Sequence, residues 1–435
     1  MSLFDNIINA MQASVRVLDT VKVFSLGGVD LIRKAAAGEN TEAPKALRQA
    51  FEDLGATYIK LGQLIASAPG LFPPSFVNEM QKCLDQVRPL PFSEIKKVLE
   101  KDFGNRLSEI FSHIDELPLA SASIAQVHAA TLRTGEDVVI KVQRPGIVTT
   151  LNADMNLIYL AAWLFEKIAP GGARASLTEI VNQFQMTIAE ETDFLREAAN
   201  IREFEKFLQE FDDGKVVVPK VYAHATTKNI LTMSRLYGVP LTDLDSIRKY
   251  TDSPRDTLIL AMNTWFSSLM FCGFFHADVH AGNLMVLENG QLAFLDFGIV
   301  GRMSEDIWNS LMNLTLAMGT RDYDLMAESL VGINATKGEV DVKKFSAGLK
   351  KVFEDFEKIA QEDINTINVN EAEVNEIMMN LVSVAEDNGL KLPREFALLF
   401  KQLLYFDRYV QILAPDINVA TSKEIIKFNK MKQLK

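Results

Sequence analysis

One amide and two carboxylates stand at spacings suited to metal-assisted phosphoryl chemistry. In "HADVHAGN", Asp278 and Asn283 are five residues apart, and Asp296 in "LDFG" comes thirteen residues after Asn283. Asn283 and Asp296 offer an amide oxygen and a carboxylate, the hard oxygen donors that magnesium takes. A metal held there would offset the charge of a triphosphate, and Asp278 would orient or deprotonate an acceptor hydroxyl. His276 and His280 share the segment at i, i+4. They lie on a loop, so packing and hydrogen bonding is the expected role, not metal ligation.

Lys141 ends the apolar strand "DVVIK". A lysine there would reach the α/β-phosphates of a nucleotide and be held by a carboxylate on a neighbouring helix. The later segment "EETDFLREAAN" supplies three candidates, Glu191, Asp193 and Glu197. Asp193 and Glu197 share a helix face at i, i+4. A solvated acidic face is the plain alternative. "LASASIAQVH" sits where a phosphate-covering loop would carry glycines and has none. Ala120, Ser121, Ala122, Ser123, Ile124 and Ala125 would form that loop, with the Ser121 and Ser123 hydroxyls and Gln126 available as donors. Alanine and serine restrict the backbone relative to glycine, so nucleotide should be held in a different pose and ordinary phosphoryl transfer held back. In "ILTMSRLYGVPL", a backbone C=O and N–H between Ser234 and Leu236 would pair with an adenine edge.

The elements that must carry these groups can be read coarsely. "NTEAPKALRQAFEDLGATYIKLGQLIAS" has helical apolar spacing with Pro44 near its start. "PFSEIKKVLEKDFG" reads as a short helix, Ser93 capping it and Gly104 following its end. From about residue 116 the chain reads strand, loop, strand, turn at Thr134-Gly135, strand. Helices are expected at about 151–169 and 176–211, and "VVVPKVYAHATTKNILTMSRLYG" returns to strand, closed by Gly238. Between Asn283 and Asp296, apolar runs flank Glu288-Asn289-Gly290 as a hairpin. Leu258 to Phe275 carries no charge and imitates a membrane span. Asn263, Thr264, Ser267 and Ser268 interrupt it, so a buried core helix is expected. The sum is an α+β, bilobal plan with three segments: residues 1–115 a helical extension, 116–240 a small sheet with helices, 241–435 a helical lobe.

The formal net charge of −12 argues against a nucleic-acid partner. Two cysteines, Cys83 and Cys272, without a CxxC, argue against a disulfide framework or thiolate metal site and for a reducing compartment. Asp5, Asp19 and Asp30 interrupt the apolar stretches of the N-terminus, which does not read as a secretory signal. "FDNIINAMQASVRVLDTVKVF" is partly amphipathic and would lie on a membrane surface or pack as a soluble helix. The chain ends "TSKEIIKFNKMKQLK", polar and basic. A cytoplasmic protein, peripheral at the inner face of the cell membrane, is the expected location.

Together these motifs resemble the UbiB family of atypical protein-kinase-like ATPases, linked to isoprenoid-quinone (ubiquinone) biosynthesis. "YIKLGQ", with Lys60, Gly62 and Gln63, matches its K-x-G-Q signature; "SASIAQVH" matches its alanine-rich loop. "EETDF" matches its E-x-D motif at Glu191 and Asp193, and "HADVHAGN" and "DFG" complete the set. The resemblance runs from about residue 40 to 310. It implies a kinase-like core whose N-terminal helices pack over the active-site cleft. Lys60 and Gln63 would be regulatory, Lys60 lying near Glu191 and Asp193, and Glu197 would be the better partner for Lys141. It also implies ATP or ADP with Mg2+ as cofactors, and quinone-precursor lipid, membrane surface and quinone-biosynthesis proteins as partners. Two positions depart from the family pattern: Ala281 replaces a common proline, and Ser234 a common hinge glutamate. No Ala-Pro-Glu segment follows "DFG" and a helical pattern resumes at once, which argues against protein phosphorylation in trans. A nucleotide-gated scaffold with incidental turnover is the alternative. A phosphotransferase of the aminoglycoside-kinase type shares H-x-D-x4-N, but the K-x-G-Q extension is foreign to it.

Overall fold

The computed structural model describes residues 43–66, 74–80, 82, 88–168, 177–211, 214–333, 340–351 and 394–415. The amphipathic stretch at 4–24, Cys83 and the polar stretch at 421–435 lie outside them. In chain order come α1 (Ala43–Leu54), α2 (Ala56–Ala66), α3 (Pro74–Met80), α4 (Phe92–Phe103), β1 (Phe111–Ser121), β2 (Ala125–Leu132) and β3 (Asp137–Gln143). Next are α5 (Ile147–Ile168), α6 (Leu177–Glu191), α7 (Phe194–Phe211), β4 (Val216–Val217), β5 (Ile230–Ser234) and β6 (Gly238–Pro240). Then follow α8 (Pro254–Cys272), β7 (Phe274–His276), β8 (Leu284–Leu287), β9 (Leu292–Phe294), β10 (Val300–Arg302), α9 (Glu305–Thr320), α10 (Tyr323–Ile333) and α11 (Arg394–Leu413). The chain divides into two units, one of residues 1–203, 218–237 and 296–299, the other of 204–217, 238–295 and 300–435.

In the first unit, the helical run expected up to residue 66 breaks at Gly55, whose φ of +87° lies in the left-handed region that favours glycine. The break lets α1, α2 and α3 close around Phe51, Leu54, Tyr58, Ile65 and Met80. Buried Thr57 on α2 donates to buried Asp154 on α5 at 2.5 Å. On α4, Ile95, Leu99 and Phe103 recur every four residues and bury one face. They pack with Leu132, Val138, Ile140 and Val142 of the sheet. Pro91, not Ser93, precedes this helix and its carbonyl accepts from the Glu94 N–H. Proline needs no N–H partner there, so Ser93 falls inside the first turn. The sheet order is β1-β2-β3-β5, antiparallel throughout.

The helix expected over 176–211 is two helices. Thr192 folds its hydroxyl back onto the Ile188 carbonyl, and the Asp193 carboxylate accepts from the Leu195 N–H to start α7. Asx and hydroxyl side chains compete with the helix ladder in this way. Among the described residues, Ile147–Leu164 of α5 is the one segment long and apolar enough to cross a membrane, with mean hydropathy 1.2 and 22% of it buried.

In the second unit, the segment that imitates a span is α8. Ser253 caps it by accepting from the Asp256 N–H, Pro254 opens it, and Gly273 closes it at φ +58°. Its Leu258, Ala261, Met262, Trp265 and Leu269 are buried, as a core helix requires. Trp265 packs on Phe275 and Phe406, with ring centroids at 5.6 and 5.5 Å. The hairpin β8–β9 turns at Gly290 (φ +83°) and lies in a sheet ordered β4-β9-β8-β6. Gly238 does not close a strand, as the sequence suggests, but opens β6. A side chain there would run into the Val286 carbonyl of β8. β7 pairs with β10, and α9 starts at Glu305 shortly after.

Candidate active site

The first unit gathers the cation and its acids. Lys141, on β3, is held at 3.0 Å by both Glu197 oxygens and at 2.9 Å by Asp296 Oδ2, and lies 5.3 Å from the Phe194 ring centroid. Each candidate acid has a cation of its own. Glu197 takes Lys141; Glu191 takes Lys60 of α2 at 2.5 Å. Asp193 caps α7 and lies 4.0 Å from Lys228. Gln63, one turn beyond Lys60, is half-buried. Asp296 has φ +55°, and its Oδ1 accepts from the Gly298 N–H. A Cβ on Gly298 would sit 3.1 Å from that oxygen, with Glu197 and Glu191 also close, so the glycine spaces the acids.

Burial alone would lower the Lys141 ammonium, but the charges of Asp296 and Glu197 outweigh it and hold the pKa well above that of an ordinary lysine. Burial pushes the Glu197 carboxyl up to about 7 against the pull of Lys141, and repulsion from Asp296 and Glu191 adds to the rise. Because the folded value exceeds the ordinary 4.5, the folded chain binds this proton more tightly than the unfolded one. The resulting stabilisation is full below pH 4.5 and lost as pH rises through about 7. Thermal midpoints of the unliganded protein should therefore fall over that window, and Glu197→Gln should flatten the fall. An unchanged slope in the variant would refute the assignment.

The loop between β1 and β2 is fixed from outside. Ala120 pairs with Val127 and Ser121 with Gln126, and the Ala122 N–H donates to the Ala125 carbonyl at 2.8 Å. Arg144, just past β3, donates from Nε to the Ala122 carbonyl at 2.9 Å. Its Nη2 donates to Ser121 Oγ at 2.8 Å and to the Arg88 carbonyl at 3.1 Å. Its backbone N–H holds the Ile124 carbonyl at 2.9 Å. Ser123, Ile124 and Ala125 are buried. Gln126 is not an available donor: it is fully buried, its Oε1 accepts from the Leu90 N–H, and its Nε2 is engaged by the Leu90 carbonyl at 3.5 Å and His128 Nε2 at 3.3 Å. At the other end of the sheet, Ser234 donates its N–H to the Lys220 carbonyl and accepts the Lys220 N–H on its hydroxyl. Leu236 follows β5, half-buried.

The second unit holds the other motif. Asn283 donates from Nδ2 to the Asp278 carbonyl at 2.9 Å, with Asp278 Oδ2 at 3.4 Å. The Asn283 side-chain oxygen takes no hydrogen bond from the described residues, which leaves a hard donor suited to a magnesium ion. His276 accepts the Asp278 N–H on Nδ1, so Nε2 carries the proton and donates to the Leu295 carbonyl at 2.7 Å. Both ring nitrogens are engaged, which fits a structural role. His280 accepts the Gly282 N–H and lies 3.6 Å from Asp278 Oδ2. Leu295, directly before Asp296, donates to the Asn283 carbonyl at 2.8 Å. Sequence reasoning missed Arg144 and Trp265. An arginine three residues past Lys141 carries no signal of the loop it holds, and Trp265 looked like core alone.

Two known family domains match the chain. The ABC1 atypical kinase-like domain matches residues 82–330, and the UbiB helical domain matches 359–418. An uncharacterised chloroplastic aarF domain-containing protein kinase of Arabidopsis thaliana is 46% identical over 400 residues, covering 88% of this chain and 74% of that protein. A probable protein kinase UbiB of Erwinia tasmaniensis is 33% identical over 381 residues, covering 86% and 68%. A solved Mycobacterium tuberculosis protein in complex with erythromycin is 23% identical, with a TM-score of 0.48 over 85% of this chain and 98% of that one. The chain belongs to the UbiB family of ABC1 atypical kinase-like proteins.

Proposed function

We propose that the protein is an ATP- and magnesium-dependent kinase-like ATPase that supports isoprenoid-quinone biosynthesis. Its clients would be lipid, small-molecule or biosynthetic-complex partners rather than general protein substrates. The observation that carries this is the part-buried Lys141, held by Glu197 and Asp296. In a nucleotide-binding enzyme that cation takes the α/β-phosphates. The loop from Ala120 to Ala125 covers the phosphates, and the Leu236 backbone serves the adenine edge, since Ser234 already uses its N–H on Lys220. The Asn283 oxygen and the Asp296 carboxylate are the groups that would hold magnesium, which when bound offsets triphosphate charge. Asp278 orients or deprotonates the acceptor hydroxyl. Lys60, Gln63, Glu191 and Asp193 form the regulatory set, with the Lys60–Glu191 pair tying the extension to the end of α6. The quinone link comes from the family. The exposed Tyr159, Leu160, Trp163 and Leu164 of α5 support peripheral contact with the inner face of the cell membrane.

Purified protein should hydrolyse ATP only with magnesium, faster with anionic liposomes and with a phenolic quinone-precursor mimic. Asp278→Asn should lower turnover by roughly 10²- to 10⁴-fold. Wild-type protein inert under all these conditions would overturn the assignment. The grip of Arg144 on the loop favours one second reading, a nucleotide-gated scaffold with incidental turnover. It would be preferred if Asp278→Asn kept full biological rescue while variants that lose nucleotide binding failed.

A further inference from the structure

The backbone around Asp278 is held by side chains. Trp265 Nε1 donates to the His276 carbonyl at 2.8 Å. Gln402 Nε2 donates to the Ala277 carbonyl at 2.7 Å, and Gln402 Oε1 accepts from the Val279 N–H at 2.8 Å. The Asp278 N–H goes to His276 and the Asp278 carbonyl to Asn283. The Tyr409 hydroxyl donates to the Val279 carbonyl at 2.8 Å. Trp265, His276 and Asn283 belong to the loop or to α8 and β7 just before it. Gln402 and Tyr409 do not. They sit on α11, 123 to 130 residues further along, inside the stretch that matches the UbiB helical domain.

The amide of Gln402 brackets Asp278. It accepts from the residue after the aspartate and donates to the residue before it, which needs one donor and one acceptor at the end of a single side chain. Gln402 and Tyr409 are seven residues apart, two turns of one helix face. Phe406 lies between them on that face and packs on Trp265. Both polar side chains are buried, where an unmade hydrogen bond is costly.

We infer that Gln402 and Tyr409 are positioning residues for Asp278, so that α11 sets the geometry of the catalytic loop. The inference rests on the role proposed above for Asp278. Their described hydrogen bonds go to the backbone of residues 277 and 279. Their loss should therefore act on the chemical step and leave nucleotide binding alone.

The test compares full-length wild type with Gln402→Met, which keeps side-chain length and removes both polar ends, and Tyr409→Phe, which removes one hydroxyl. In magnesium-ATP turnover, Gln402→Met should lower kcat by roughly tenfold to a hundredfold and Tyr409→Phe severalfold, with KM for ATP within about twofold of wild type. Adding Gln402→Met to Asp278→Asn should cost nothing further, because the group being positioned is already gone. Amide hydrogen exchange should speed up across residues 277–283 and stay unchanged in β8 and β9. Wild-type kcat with wild-type exchange at 277–283 in both variants would overturn the inference, as would a loss confined to KM. If Gln402→Met fails to fold, Tyr409→Phe decides. If wild type turns over no nucleotide, the proposed function fails and the exchange result alone decides the positioning role.

Discussion

Asp296→Asn should lower the proposed magnesium-dependent nucleotide turnover by roughly 10²- to 10³-fold while the fold survives. The substitution removes the charge and keeps the shape of the side chain. Asp296 has φ +55°, a backbone region that asparagine tolerates better than most residues, so no strain is added. The amide oxygen still accepts from the Gly298 N–H. What disappears is the negative charge 2.9 Å from Lys141, the hydrogen bond Lys141 donates to Oδ2, and the carboxylate assigned to magnesium. Glu197 continues to hold Lys141, so the lysine stays in place. Hydrolysis rates over a magnesium titration check the expectation, and turnover equal to wild type would sink the metal-ligand role. Asp296→Ala would be a poorer test, because it adds backbone strain to the loss of charge.

The largest effect on stability should come from Trp265→Ala, a loss of about 3–5 kcal/mol. The indole is fully buried between Phe275 and Phe406, and its N–H satisfies the His276 carbonyl. Trp265→Phe separates the two contributions. It keeps most of the ring contact and leaves the carbonyl without its donor, a cost of about 1–3 kcal/mol. Denaturant unfolding with both variants measures the difference. A cost under about 1 kcal/mol for Trp265→Ala would mean the neighbouring rings collapse into the space and the tryptophan is not a keystone of this unit.

Local chemistry was legible in the sequence where residues act close to their neighbours in the chain. The β8–β9 hairpin could be read because Asn289-Gly290 turns only a few ways. The core character of α8 could be read because its polar residues are small and uncharged. Lys141 stood out by type and by its place on a strand. Its partner among three acids followed from the family resemblance and not from residue spacing, because the break at Thr192–Asp193 re-aims everything after it. That break depends on a hydroxyl and a carboxylate turning back on the chain, which apolar spacing does not report. Ser93 misled because proline can open a helix without a cap. Gln402 and Tyr409 were invisible, since a buried amide more than a hundred residues from its backbone partners carries no motif.

The Arg144 fork bears on why the loop at Ser121–Ala125 can do without glycine. A flexible phosphate loop is ordered when its ligand arrives, and each binding event then carries the loss of conformational entropy. Here three hydrogen bonds from Arg144 have already fixed the loop, and a fourth ties the arginine to the Arg88 carbonyl. The ordering cost is met once, at folding, and alanine and serine reduce it further because they leave the unfolded chain fewer conformations than glycine would.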